Sequence, residues 1–184
     1  RLLESAEASF RTVGNIKRLN RHQITQINLV NSVLPKTNLN YVNLKGSNMN
    51  SANLSNSSFI ESNLESARLN QANFENSNLN SANLRGSYAS GANFKDAFLI
   101  KAMFQNALLI KANFNNAYLM EADLQGSYLM GADFENASLY KADLRGAKGL
   151  TAEQLMKAKT LYLAKLDNEL QLQVQQMMQD LVEA

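Results

Sequence analysis

The chain has 184 residues, with 18 Lys or Arg against 16 Asp or Glu for a formal net charge of +2, and 45% of it is apolar. That length is enough for one domain with a buried core, and so small a charge argues against bare nucleic acid as a partner. The lack of cysteine excludes disulfides and thiolate metal sites, the lone His22 leaves little for metal chemistry, and there is no run of about eighteen apolar residues to span a bilayer.

Residues 1–36 hold six Lys or Arg and two Glu, a net +4. Leu2, Leu3, Ala6, Phe10 and Val13 recur at helical spacing, and Gly14 is the expected end of that helix. Further on, Ile24, Leu29 and Leu34 fall five apart, in register with the repeat that follows. The first coil is therefore expected to begin before the repeat becomes regular, since end repeats are atypical. The basic stretch Lys17 to His22, KRLNRH, reads as a solvated face rather than an anion-binding patch. The chain starts at Arg1, as a processed protein or a piece of a longer one would. No charged-then-apolar leader is visible, which points to the cytoplasm and leaves thylakoid lumen and periplasm open.

From residue 37 the sequence becomes periodic. Centres of Leu or Phe fall at 39, 44, 49 and onward to 144 without insertion, 22 consecutive pentapeptides in which only Met49 and Ala89 depart from Leu or Phe. Two residues before each centre stands Ala or Ser, except at Thr37 and Val42. Side chains two apart on an extended chain point the same way, but the next inward residue is three further on, so every repeat needs a corner. A small and a large inward residue fill a narrow interior without voids, and Asn and Gly at the other positions tolerate the positive φ of tight corners. Phe74, Phe94, Phe114 and Phe134 are spaced by twenty, as are Gly126 and Gly146, while Tyr88 and Tyr128 are two such spacings apart. Four pentapeptides therefore close one turn of a square β-helix, with successive coils about 4.8 Å apart.

This pattern resembles the pentapeptide repeat family, with its A(D/N)LXX consensus, in "ANLSN", "ANFEN", "ADLQG", "ADFEN" and "ADLRG". The resemblance implies an all-β solenoid, a right-handed quadrilateral β-helix of the repeated-five-residue fold, with α-helical N- and C-terminal caps. It covers about 60% of the chain. The passage "ADLRGAKGLTAEQL" followed by helices is similar to cyanobacterial and plastid members.

At the far end Gly149 occupies a centre, so the column is expected to stop there. Thr151 with Gln154 forms a capping-box pattern, and Asp167 suits the N-cap of a second helix. Leu170, Val174, Met177, Met178 and Leu181 give that helix an apolar face. The expected organisation is an N-terminal helical cap over 1–26, the column over 27–148 with clear consensus from 37, and a C-terminal helical cap over 149–184.

Chemistry finds little purchase. Asp123, Asp133 and Asp143 stand directly before a centre, where Asn53, Asn73 and Asn93 stand elsewhere, so they read as solvent-facing consensus residues rather than catalytic pairs with neighbours such as Glu135. No triad arrangement, phosphate loop or metal-ligand spacing is present. No catalytic, metal or cofactor residue and no small-molecule substrate is expected.

The outward positions are more informative. Phe98, Ile100, Tyr118, Met120 and Tyr140 line one side of the column where Asn38, Asn40, Asn78 and Asn80 stand lower down, and Tyr88, Leu108, Ile110, Tyr128 and Met130 line the opposite side. Exposed apolar surface of this kind marks interfaces, unless the chain's own ends cover it. The expected function is a non-catalytic protein–protein interaction or scaffold module that binds a protein partner or itself, with no direct nucleic-acid contact. The family resemblance adds a regulatory role in a cyanobacterium and, as the alternative, DNA-mimicking inhibition of gyrase. Mimicry needs strong negative charge, whereas residues 37–148 carry nine charges of each sign, including Lys95, Lys101 and Lys111.

Overall fold

The structure, a computed structural model, describes the backbone of residues 2–183 and the side chains of residues 11–181. Each pentapeptide forms one straight side and one corner. In a typical coil Asn93 N–H donates to Ala72 O below at 2.9 Å and Phe94 N–H donates to Asn113 O above at 2.7 Å, while Ala97 N–H closes the turn onto Phe94 O at 3.1 Å. Parallel bridges join residues twenty apart from Asn28–Asn48 through Tyr128–Lys148, so four sides make a coil as the spacing requires. Every corner residue lies at positive φ, between 53° and 69°. Gly takes six of these corners, but Asn, Ser, Gln, Lys, Glu, Asp and Tyr hold the others.

The centres and the small residues two before them fill the interior, nearly all of them fully buried. On one side Phe74, Phe94, Phe114 and Phe134 stack face to face with centroids 5.2 to 5.3 Å apart. Phe104, on the opposite side, meets both Phe94 and Phe114 edge-on across the interior. The column closes into a continuous rod of about six and a half coils, about 30 Å long.

Helix α1 (Leu2–Arg21) does not stop at Gly14 but continues through it. A glycine inside a helix costs about 1 kcal/mol. The continuation places Ile16, only 1% exposed, over the open first coil, and full burial of such a side chain returns about 1.5–3 kcal/mol. Leu29 and Leu34 are core residues as their register implies, whereas Ile24 stays exposed. Leu2, Leu3, Ala6 and Phe10 lie outside the residues whose side chains are described. Lys17, Arg18, Arg21 and His22 are exposed at the end of α1, where cations complement the helix dipole.

An open coil end leaves backbone groups without partners, and side-chain amides fill those places. Asn20 Nδ2 donates to Asn43 O at 2.8 Å and Asn20 Oδ1 accepts from Asn43 N–H at 2.8 Å, so one amide stands where the peptide of an earlier coil would be. Asn20→Ala removes both bonds from a partly buried peptide and is expected to lower stability by about 1–2 kcal/mol. Urea denaturation would show it, and a midpoint equal to that of the parent chain would contradict this role.

At the other end the column does not stop at Gly149. The chain leaves the coil there to form α2 (Ala152–Met156), capped by Thr151 and Gln154 as the sequence indicates, and α2 buries Leu155 fully. Gln154 Nε2 also donates to Leu129 O at 3.0 Å and Ala132 O at 2.7 Å, replacing the backbone donor of the next coil. The chain then rejoins the column. Bridges Ser138–Thr160 and Asp143–Lys165 span twenty-two residues instead of twenty. The expected helical lid over 149–184 therefore contains a further half coil. In it Leu161, Ala164 and Leu166 repeat the small–large pair and five-residue spacing, displaced by the two residues that only the bridges reveal.

Helix α3 (Asn168–Glu183) begins after Asp167, whose carbonyl accepts Gln171 N–H at 2.9 Å. The Asp167 carboxylate accepts Gly146 N–H at 2.8 Å, tying the helix entry to a corner of the coil beneath. Val174 is buried, with Leu170 and Met177 packed beside it, while Met178 and Leu181 remain exposed and fall outside the packed face.

Candidate protein-interaction faces

The four sides are numbered from centre 39: the first carries centres 39 to 139, the second 44 to 144, the third 49 to 129 and the fourth 54 to 134. On each side the centre points inward, and the residues immediately before and after it form two outward rows parallel to the axis. First and third sides are opposite.

On the first side the rows run Asn78, Phe98, Tyr118 and Asn80, Ile100, Met120, Tyr140. Phe98 and Tyr118, both exposed, stack with centroids 4.9 Å apart. Ile100, Met120 and Tyr140 are half-buried between neighbouring rungs. The two-residue offset brings Tyr162 into the same row, 6.0 Å from Tyr140, and leaves it 67% exposed. Sequence spacing alone missed Tyr162 because α2 interrupts the register.

On the third side the rows run Arg68, Tyr88, Leu108, Tyr128, Lys148 and Ser90, Ile110, Met130. Tyr88 is 48% and Met130 59% exposed; Tyr128 is exposed too, and Leu108 and Ile110 are half-buried. Lys148 Nζ donates to Tyr128 OH at 2.9 Å and lies 4.4 Å from the ring centroid. The structure thus brings all ten sequence-derived residues onto two opposite faces, and five of them stay exposed in the folded chain.

The acidic residues do structural work. Asp123, Asp133 and Asp143 each accept the backbone N–H two residues on, from Gln125, Glu135 and Arg145 at 3.0 to 3.3 Å. Asn73 and Asn93 make the same corner bond to Glu75 and Lys95, which explains why Asn and Asp exchange here. Asp143 also holds Arg145 at 2.6 Å and Lys165 of the added half coil at 3.5 Å. The hydrogen bond from Arg145 is the main cause of its pKa lying below the ordinary carboxylate value, opposed by burial. A carboxyl whose folded pKa is depressed adds stability above its unfolded pKa of about 3.9 and loses it as pH falls through the lower value. Asp143→Asn is therefore expected to flatten the acid limb of a stability–pH profile, and an unaltered limb would contradict this. Among the described residues no cluster of His, Cys, Asp or Glu is arranged to hold a metal ion, and no helix is long and apolar enough to cross a membrane.

The pentapeptide repeats family matches residues 23–56, 37–76, 57–96, 97–136 and 117–148 in eight copies. The chain belongs to the pentapeptide repeat family. Its column is accordingly a right-handed quadrilateral β-helix with helices at both ends.

Similar solved structures include HetL, a pentapeptide repeat protein involved in heterocyst differentiation regulation from the cyanobacterium Nostoc sp. strain PCC 7120. It is 22% identical over 83% of this chain and 93% of that one, with a TM-score of 0.38. A pentapeptide repeat protein from the Arabidopsis thaliana thylakoid lumen is 28% identical over 56% of this chain and 69% of that one, TM-score 0.40. QnrB1, a plasmid-mediated fluoroquinolone resistance protein, is 22% identical over 85% and 89%, TM-score 0.38. No curated protein matches the chain.

Proposed function

We propose that this pentapeptide repeat protein is a non-catalytic interaction module that binds another protein, or itself, through the outward apolar strips of the first and third sides. The observation that carries this is the exposure of Phe98, Tyr118, Tyr88, Tyr128 and Met130 with both terminal helices in place. A rigid rod holds those side chains at fixed spacing, so little conformational freedom is lost when a partner covers them. In its finer form the proposal is a regulatory role in a cyanobacterium, with the cytoplasm as compartment.

The test is affinity capture and sedimentation with the parent chain, with Ile100, Met120 and Tyr140 replaced by Ser, and with Tyr88, Leu108 and Tyr128 replaced by Ser. A partner or self-association lost with one strip supports the reading. If every captured protein and the oligomeric state survive both replacements, the reading fails. The column's balance of nine charges of each sign disfavours imitation of DNA. A gyrase supercoiling assay is expected to show no inhibition at stoichiometric protein, and inhibition there would reverse the assignment.

A further inference from the structure

We propose that the third side is a docking site for an amphipathic helix of a partner protein, apolar along its centre and acidic at its margins. The inference rests on the interaction-module reading and names the side and the partner chemistry.

All six corner glycines border this one side. Gly46, Gly86, Gly126 and Gly146 lie on one edge, and Gly91 and Gly131 on the other. The backbone does not require them there, because Ser, Asn, Gln, Lys, Glu, Asp and Tyr hold the same left-handed conformation at other corners. What glycine does supply is an edge without a side chain. At Gly86 and Gly146 the third side is left without a wall and a partner can approach its backbone closely, while the side chains of Gln26, Gln71, Asn106 and Lys111 lie over Gly46, Gly91, Gly126 and Gly131.

Charge adds a second, independent asymmetry. Residues 46–51, 66–71, 86–91, 106–111, 126–131 and 146–151 contain no Asp or Glu, whereas Arg68, Lys111 and Lys148 stand exposed among them. Each other side carries acids, such as Glu121 on the first, Asp123 on the second and Asp133 on the fourth. Only a partner with negative margins complements such a surface.

Shape selects the helix. The two outward rows are about 7 Å apart, with backbone flooring the trough between them. Tyr88, Leu108 and Tyr128 form one bank, and Ile110 and Met130 the other. Tyr88 and Tyr128 are two coils apart, about 10 Å, close to the rise from residue i to i+7 of a helix. Arg68 and Lys148 stand one coil beyond the apolar patch at either end. Leu108, Ile110 and Met130 offer nothing to a phosphate backbone, so a protein helix fits this face better than a nucleic acid.

The test uses the full chain and a fluorescent 18-residue synthetic helix with a Leu/Phe face and Glu margins, followed by anisotropy at low and moderate salt. Binding is expected to weaken at least ten-fold when the margins are Gln, and at least ten-fold in the Arg68→Glu, Lys111→Glu, Lys148→Glu variant. Gly86→Asn with Gly146→Asn keeps the charge and suits corners that accept Asn elsewhere, so a loss of about five-fold or more there would show that the open edge matters. Ile100→Ser with Met120→Ser, on the first side, is expected to leave the probe's affinity unchanged. Thermal melts of each variant verify folding. No binding of the probe, indifference to its margins, or loss only with first-side variants overturns the proposal. So does tighter binding of an oligothymidylate than of the peptide. If the first-side variant alone abolishes a captured partner, the general interaction reading survives while this one falls.

Discussion

Replacing Phe114 by Ala is expected to destabilise the column by about 3–5 kcal/mol, the range for truncating a buried aromatic. Phe114 is fully buried, stacked on Phe94 below and Phe134 above, and meets Phe104 edge-on. Its removal therefore leaves a void between coils that cannot close, because each coil is held to its neighbours by backbone bonds at fixed spacing. Phe114→Leu restores the residue found at most other centres and is expected to cost about 1–2 kcal/mol, the smaller part of that loss. In a rod whose coils touch only their neighbours, the defect also weakens coupling between the two halves. Urea unfolding followed by hydrogen exchange would show both effects, with protection lost first around residues 94–134. An Ala variant within about 1 kcal/mol of the parent would refute the packing argument.

Gly149→Ala is expected to cost about 2–4 kcal/mol. Gly149 has φ of 69°, and a Cβ built there would lie 2.8 Å from Met130 Cβ and 3.2 Å from Met130 Cα. Part of the cost is the left-handed conformation, about 1–2 kcal/mol for a residue with a side chain. The rest is a clash close to backbone, and neither the rung below nor the chain leaving toward α2 can yield without breaking hydrogen bonds. Gly131 gives the contrast, since its Cβ would meet Lys111 Cγ at 3.4 Å, the stem of a flexible exposed chain. Gly131→Ala should therefore cost less than Gly149→Ala, and equal melting temperatures for the two would contradict the explanation. Because Gly149 is the exit from the column, the larger loss should appear with faster exchange over residues 150–166.

Of the candidate faces, nearly everything except their boundaries was legible in the sequence. A residue one place before or after a centre must point outward, so the apolar letters at 88, 98, 108, 118 and 128 could be placed without coordinates. Tyr162 could not, because its place in the first-side row depends on two extra residues absorbed by α2. The common side of the six edge glycines follows from the register alone, but that the backbone does not require glycine there became evident only when every corner proved to have the same φ whether or not it held glycine. Asn20 and Gln154 carried no periodic signal at all. Each acts on backbone more than twenty residues away through a side-chain amide, and local spacing gave Gln154 only its capping-box role and Asn20 none.

The repeat by itself determined the square coil, its inward set and its outward rows, since each pentapeptide meets the same geometry and hydrogen-bonding need as the one before. Tertiary structure decided how the rod ends. There the repeat has no next coil, so the chain satisfies exposed backbone and core with whatever groups can reach: Ile16 and Asn20 at one end, Leu155, Gln154, Asp167 and a displaced half coil at the other. A pattern that repeats is written in the spacing of residues, whereas its termination is written in long-range contacts that occur once.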